Sequence, residues 1–283
     1  MSDEVTVAVP LKAVPEAAPI EGAAARPLLR LRGISKTFAN GTTALADVDL
    51  DIRPGEFVSL LGPSGCGKST LLKLIAGLAA PSTGTIDWPQ STYDANGTAE
   101  QSLGFVFQEP TLLPWRTVAG NVHLPLMLAG MSKRDARARV EDALAQVGLT
   151  AFADVHPHQL SGGMKMRVSI ARALVTKPKI LLMDEPFAAL DEITRTKLNN
   201  DLLELFARQD LTVIFVTHSV YESVYLSSRI VVMSSRPGRV TAEISIEVNY
   251  PRAEEFRTSP VYNERCRLAS AALRRAMSNG DSV

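Results

Sequence analysis

Nine consecutive residues constrain this chain more than any other feature: Gly62-Pro63-Ser64-Gly65-Cys66-Gly67-Lys68-Ser69-Thr70. They fit G-x-x-x-x-G-K-[ST], a pattern in which glycines let the backbone approach phosphates that a Cβ would block. The short apolar run Phe57-Val58-Ser59-Leu60-Leu61 leads into the loop. After it, Leu71, Leu72, Ile75 and Leu78 fall at helical spacing until Pro81. Strand, glycine loop and helix in that order are the context the pattern requires, because loop N–H groups and the positive helix end then face one anion. Lys68 adds a point charge for the β- and γ-phosphates, and Ser69 offers a hydroxyl to Mg²⁺. Alone, the loop implies only that a nucleoside triphosphate binds.

A second apolar strand, Ile180-Leu181-Leu182-Met183, ends in Asp184-Glu185-Pro186. Asp184 is placed to hold Mg²⁺, and Glu185 to face the γ-phosphate and polarise an attacking water. Further buried strands are expected at 103–107, 213–216 and 230–233. The alternating residues Leu29 and Leu31, and the run Val48-Asp49-Leu50-Asp51-Ile52 before the turn Pro54-Gly55, predict an antiparallel edge. From Pro110 to about Val175 the pattern turns helical, most clearly from Asp135 to Val147. A helical block set between strands of an α/β core predicts a second lobe. The expected organisation is a flexible Ala/Pro-rich tail over 1–27, a main domain over 28–250 with a helical part at about 109–175, and a helical appendage over 251–283.

A length of 283 residues with 46% hydrophobic side chains suits one large α/β domain. Thirty basic and thirty acidic residues cancel, so no overall basic excess suggests nucleic acid. The two cysteines, Cys66 and Cys266, form no disulfide framework and fit a reducing cytosol. No apolar run approaches the about 18 residues that span a bilayer. Asp3, Glu4, Pro10, Pro15 and Pro19 near the start are unlike a signal peptide.

The stretch Leu160-Ser161-Gly162-Gly163-Met164 narrows the reading, with Ser161 lying 23 residues before Asp184. It resembles the signature of ATP-binding-cassette (ABC) ATPases, and from about Leu28 to Val248 the chain resembles an ABC transporter ATP-binding subunit. The resemblance implies a P-loop NTPase (RecA-like) core with an antiparallel β subdomain and an inserted α-helical subdomain. It implies ATP and Mg²⁺ as cofactors. It also implies that Ser161, Gly162 and Gly163 close over ATP held by a partner's phosphate loop. In Phe107-Gln108-Glu109, Gln108 matches the Q-loop glutamine that senses Mg²⁺ and γ-phosphate. His218 matches the switch histidine, Asp191 the D-loop, and Phe38 the aromatic that lies against adenine. Two departures stand out: Met164 replaces the usual signature Gln, and Phe187-Ala188 opens a D-loop in which Ser is frequent nearby.

Met164, Leu112-Leu113-Pro114-Trp115-Arg116 and Met233-Ser234-Ser235-Arg236-Pro237-Gly238-Arg239 resemble the importer branch serving nitrate, sulfonate, taurine and related solutes. The expected partners are a second cassette, an integral-membrane permease and, indirectly, a solute-binding protein, with no nucleic acid. The expected location is peripheral, on the cytoplasmic face of the cell membrane. Trp115 either meets the permease or packs the helical lobe, and 236–239 reads most simply as a solvated hairpin turn. The other readings are a soluble cassette ATPase outside transport and an ATP-binding regulator. Only 53 residues separate Gln108 from Ser161, too few for a long coiled-coil or zinc insertion, and both Glu185 and His218 are present.

Overall fold

The computed structural model describes residues 26–91 and 102–278. Of the tail expected over 1–27, all but Arg26 and Pro27 lies outside those residues. Two sheets organise the described residues. The smaller joins β1 (Leu29–Thr37), β2 (Thr43–Ile52) and β4 (Thr83–Asp87) in the antiparallel order β2-β1-β4. The larger has six strands: β3 (Phe57–Leu61), β5 (Leu103–Val106), β6 (Ile180–Asp184), β7 (Thr212–Thr217), β8 (Arg229–Met233) and β9 (Val240–Ser245). Their order is β5-β6-β7-β3-β8-β9, parallel except for the β8–β9 hairpin.

Chemistry distinguishes the two sheets. Every residue of β3 and β7 is buried, as is all of β6 except Asp184, so their sequences are mostly apolar, broken only by the buried hydroxyls of Ser59, Thr212 and Thr217. In β2, Leu45, Val48, Leu50 and Ile52 are buried while Thr43, Asp47 and Asp49 are exposed, as one wetted face requires. The first helix, α1 (Lys68–Ile75), stops earlier than its apolar spacing predicts. Gly77 takes φ +69° and turns the chain, leaving Leu78 62% exposed beyond the helix.

Three helices fall in sequence between β5 and β6: α2 (Val118–Leu128), α3 (Lys133–Gln146) and α4 (Gly162–Leu174). Each begins at a side-chain cap, with Thr117, Ser132 and Ser161 accepting from the N–H three residues on. The core follows with α5 (Glu192–Arg208) and α6 (Val220–Leu226). The final helix, α7 (Pro260–Ser278), falls within the appendage expected over 251–283 and opens on a proline, which is tolerated at a first helical position. It lies on α6, β8 and β9 and buries Tyr262, Cys266, Ala269 and Ala276 in the main apolar core.

Candidate active site

The carboxyl ends of β3, β5, β6 and β7 share one edge of the parallel sheet, where ligands of open α/β folds bind. From β3 the chain enters the glycine loop, with Gly65 at φ +76° and Gly67 at φ +96°, before α1. Packing also fixes the loop. A Cβ at Gly67 would stand 2.7 Å from the Ala44 carbonyl oxygen, and one at Gly62 would stand 2.9 Å from the Met233 carbonyl oxygen. Gly238 is buried, and a Cβ there would reach 2.0 Å from the Cys66 carbonyl oxygen. Gly238 also exchanges backbone hydrogen bonds with Ala44 and Ala46. The 236–239 hairpin is therefore a buttress under the phosphate loop rather than only a solvated turn. No local signal in the sequence shows this contact.

Lys68 is 4% exposed, and its Nζ donates to the carbonyls of Gly62 (2.8 Å) and Pro63 (3.0 Å). It lies 3.8 Å from Glu185 Oε1. Ser69 Oγ donates to Asp184 Oδ1 at 2.7 Å, joining the two side chains expected to hold Mg²⁺. Burial raises the Asp184 carboxyl above its ordinary value, against the Ser69 hydrogen bond; the neighbouring Glu185 charge pushes the same way as burial. Among the described residues no cluster of three or more His, Cys, Asp or Glu could hold a metal by itself. One hydroxyl and one carboxylate suit Mg²⁺, a hard cation that keeps waters and takes further oxygens from phosphates. Burial also raises the Cys66 thiol, which keeps it protonated beside the loop.

Glu185 follows β6 at φ +45°, left-handed for a residue with a Cβ, and its N–H donates to the Val216 carbonyl at 3.1 Å. Its Oε2 is 3.1 Å from His218 Nδ1, at the end of β7. Gln108 is exposed two residues beyond β5, whose Val106 pairs with Met183 next to Asp184. Phe38 is 44% exposed in the β1–β2 turn, with Lys36 Nζ over its ring 5.7 Å from the centre. Pro63, Ser64, Gly65 and Thr70 complete the loop and the first turn of α1.

The remaining expected residues sit elsewhere. Ser161 caps α4, its Oγ accepting from Met164 N–H at 3.3 Å, and Gly162 opens that helix. Gly163 is buried, and a Cβ there would stand 2.6 Å from Thr194 Cγ2. Asp191 caps α5 through Thr194 N–H at 2.9 Å, and that bond lowers its carboxyl pKa. No hydrogen bond or ion pair among the described residues joins Ser161, Gly162, Gly163 or Asp191 to the phosphate loop.

The ABC transporter family profile matches residues 45–188. The chain is 46% identical over 225 residues to the aliphatic sulfonates import ATP-binding protein SsuB 1 of Pseudomonas savastanoi pv. phaseolicola, covering 80% of this chain and 88% of that one. It is 46% identical over 214 residues to the nitrate import ATP-binding protein NrtC of Synechococcus elongatus, covering 75% of this chain and 32% of that longer one. Among solved structures, the dimeric ATP-binding cassette MJ0796 in a post-hydrolysis state with ADP and Pi superposes at TM-score 0.66 with 35% identity, covering 78% of this chain and all of that one. A phosphate loop, an Asp-Glu pair and a histidine on adjacent strand ends, in a chain with these relatives, identify it as a member of the ABC transporter family, one of its ATP-hydrolysing nucleotide-binding subunits.

Proposed function

We propose that this chain is the ATPase of an importer, working as half of a cassette pair that drives a membrane permease for a small solute of the nitrate, sulfonate or taurine kind. The observation that carries the reading is the division of the machinery. Lys68, Ser69, Asp184, Glu185 and His218 converge at one sheet edge. Ser161 stands exposed at the start of α4, with a helix N-terminus able to take a second chain's γ-phosphate. Two copies, or this chain and a related cassette, would each complete the other's site.

In this scheme Lys68 Nζ exchanges its loop carbonyls for β- and γ-phosphate oxygens, while the loop N–H groups cradle the rest. Ser69, Asp184 and Gln108 would hold Mg²⁺, which when bound neutralises charge on the β- and γ-oxygens. Glu185 accepts a hydrogen bond from water aligned with the γ-phosphorus. The new P–O bond forms as the bond to the β-phosphate oxygen breaks. His218, fixed on Glu185 through Nδ1, turns its other nitrogen to the γ-phosphate. Tighter ATP binding to the closed pair than to the open pair would supply the drive for transport.

The permease is proposed to press on the helical lobe, where Trp115 is 72% and Leu128 77% exposed. Among the described residues no helix is long and apolar enough to cross a membrane; the attachment proposed, through the permease, is peripheral on the cytoplasmic face. The test is to purify the tagged chain from mild-detergent extracts of its own membranes and identify its companions. A multi-span permease, with ATP hydrolysis stimulated by a solute-loaded binding protein, is expected. A chain found only in the soluble fraction, or with ribosomes or DNA, would remove transport and leave the ATPase.

A further inference from the structure

Behind His218 lies a buried polar cluster that the scheme above does not use. Thr217, 2% exposed, donates from Oγ1 to Glu222 Oε2 at 2.6 Å and accepts from Ser219 N–H at 3.0 Å. Ser219 Oγ in turn accepts from Glu222 N–H at 3.3 Å. The residues on both sides of His218 are thus bound to one carboxylate and its helix. Glu222 is 8% exposed, and its Oε1 lies 3.8 Å from Arg195 Nε. That is ion-pair range but too long for a hydrogen bond, and the shielded Nε has no hydrogen-bond partner. The other end of Arg195 donates from Nη2 to the Leu190 carbonyl at 2.9 Å and from Nη1 to Glu192 Oε2 at 3.4 Å.

We infer that Glu222 and Arg195 are positioning residues for hydrolysis: they clamp the turn carrying His218 to the Leu190–Asp191 turn that begins α5. Three observations converge on this role. A carboxylate this deeply buried is costly to ionise unless partnered, and its partners are a hydrogen bond from the residue before the histidine and an ion pair with one arginine. Arg195 spans the space between two turns that β7 and β6 deliver separately to the same edge. The second turn also meets the signature helix, because a Cβ at Gly162 would lie 3.4 Å from Leu190 Cδ2 and one at Gly163 would clash with Thr194. The groups facing Glu222 are Thr217, Arg195, His218 and Glu192; burial raises its carboxyl pKa, with Thr217, Arg195 and His218 acting against burial.

The inference rests on the hydrolytic role proposed for His218, so the test measures both. ATPase kinetics with Mg²⁺-ATP are compared for the full chain, Glu222→Gln, Arg195→Met, Arg195→Lys, His218→Ala and the double variant Glu222→Gln/His218→Ala. Glu222→Gln keeps an acceptor for Thr217 and is expected to lower kcat by roughly tenfold to a hundredfold, as a misplaced group does. KM for ATP should stay within about twofold of the parent, because the phosphate loop is untouched. Arg195→Met should match it and Arg195→Lys should recover part of the loss. In the His218→Ala background Glu222→Gln should cost nothing further, since it acts through that histidine. A parental kcat in Glu222→Gln, or a loss that multiplies undiminished on His218→Ala, overturns the inference alone. Full hydrolysis by His218→Ala overturns both readings. If Glu222→Gln fails to fold, the Arg195→Met and Arg195→Lys pair, tested on the same His218→Ala background, decides by the same criteria.

Discussion

Glu185 holds a left-handed backbone at φ +45°, a conformation that costs of order 1–3 kcal/mol for a residue with a Cβ. The geometry aims its carboxylate at both Lys68 and His218. Glu185→Gln should keep nucleotide binding and lower turnover by roughly 100-fold or more, with an ATP-bound dimer accumulating in sedimentation. Near-parental turnover would remove the proposed base. Asp184 gives a stability prediction of definite sign. Its folded pKa is raised, so its contribution to stability is fully present below the unfolded value, near 4, and is lost as pH rises through the folded value. At pH 7 that contribution is diminished, and Asp184→Asn without nucleotide should melt higher than the parent. That advantage should vanish below about pH 4, where both side chains are neutral. A higher melting temperature for the parent at pH 7 would contradict the account. The sequence could single out these candidate residues because their chemistry is written locally, as glycine loop, Asp-Glu pair and strand-end histidine. Arg195, Glu222 and Gly238 were not legible, because each acts through a contact with a separate turn, strand or loop that no local pattern records.

Elements were readable where one physical rule dominated. Buried strands of the larger sheet show as predominantly apolar runs, so β3, β6, β7 and β8 are visible without a structure. The strand β4 is almost wholly exposed and carries no apolar alternation, and α2 is apolar around its circumference with Pro125 inside, so neither has a clear periodic signal. The end of α1 was misread because spacing counted Leu78 while Gly77 had already reversed the chain. The start of α4 rests on close packing against α5 as well as on its cap. Gly163→Ala should destabilise the protein by about 1–3 kcal/mol, since the new methyl would meet Thr194 Cγ2 at 2.6 Å. Thr194→Ser removes that methyl, so the double variant should regain most of the loss in chemical denaturation. Additive losses in the double variant would show that the glycine serves something other than this contact.

At the scale of the whole molecule, the proposed catalytic groups and the signature belong to different elements of one chain. The phosphate loop, Asp184, Glu185 and His218 gather where β3, β6 and β7 end, while Ser161 faces solvent at the head of α4. A single copy would then bind ATP with half of the groups that the proposed site requires, and hydrolysis would need a second copy. The most direct test uses two variants that are each inactive for opposite reasons. Lys68→Ala loses the phosphate loop but keeps its signature, whereas Ser161→Arg blocks its signature but keeps its phosphate loop. Each is assayed alone and after mixing in equal amounts, by single-turnover hydrolysis, with dimer composition checked by differently sized tags. The account predicts negligible hydrolysis from either alone and recovery on mixing, to about a quarter of the parental site count for random pairing. Substantial hydrolysis by Ser161→Arg alone, or no recovery despite mixed dimers, would contradict a site shared between two chains.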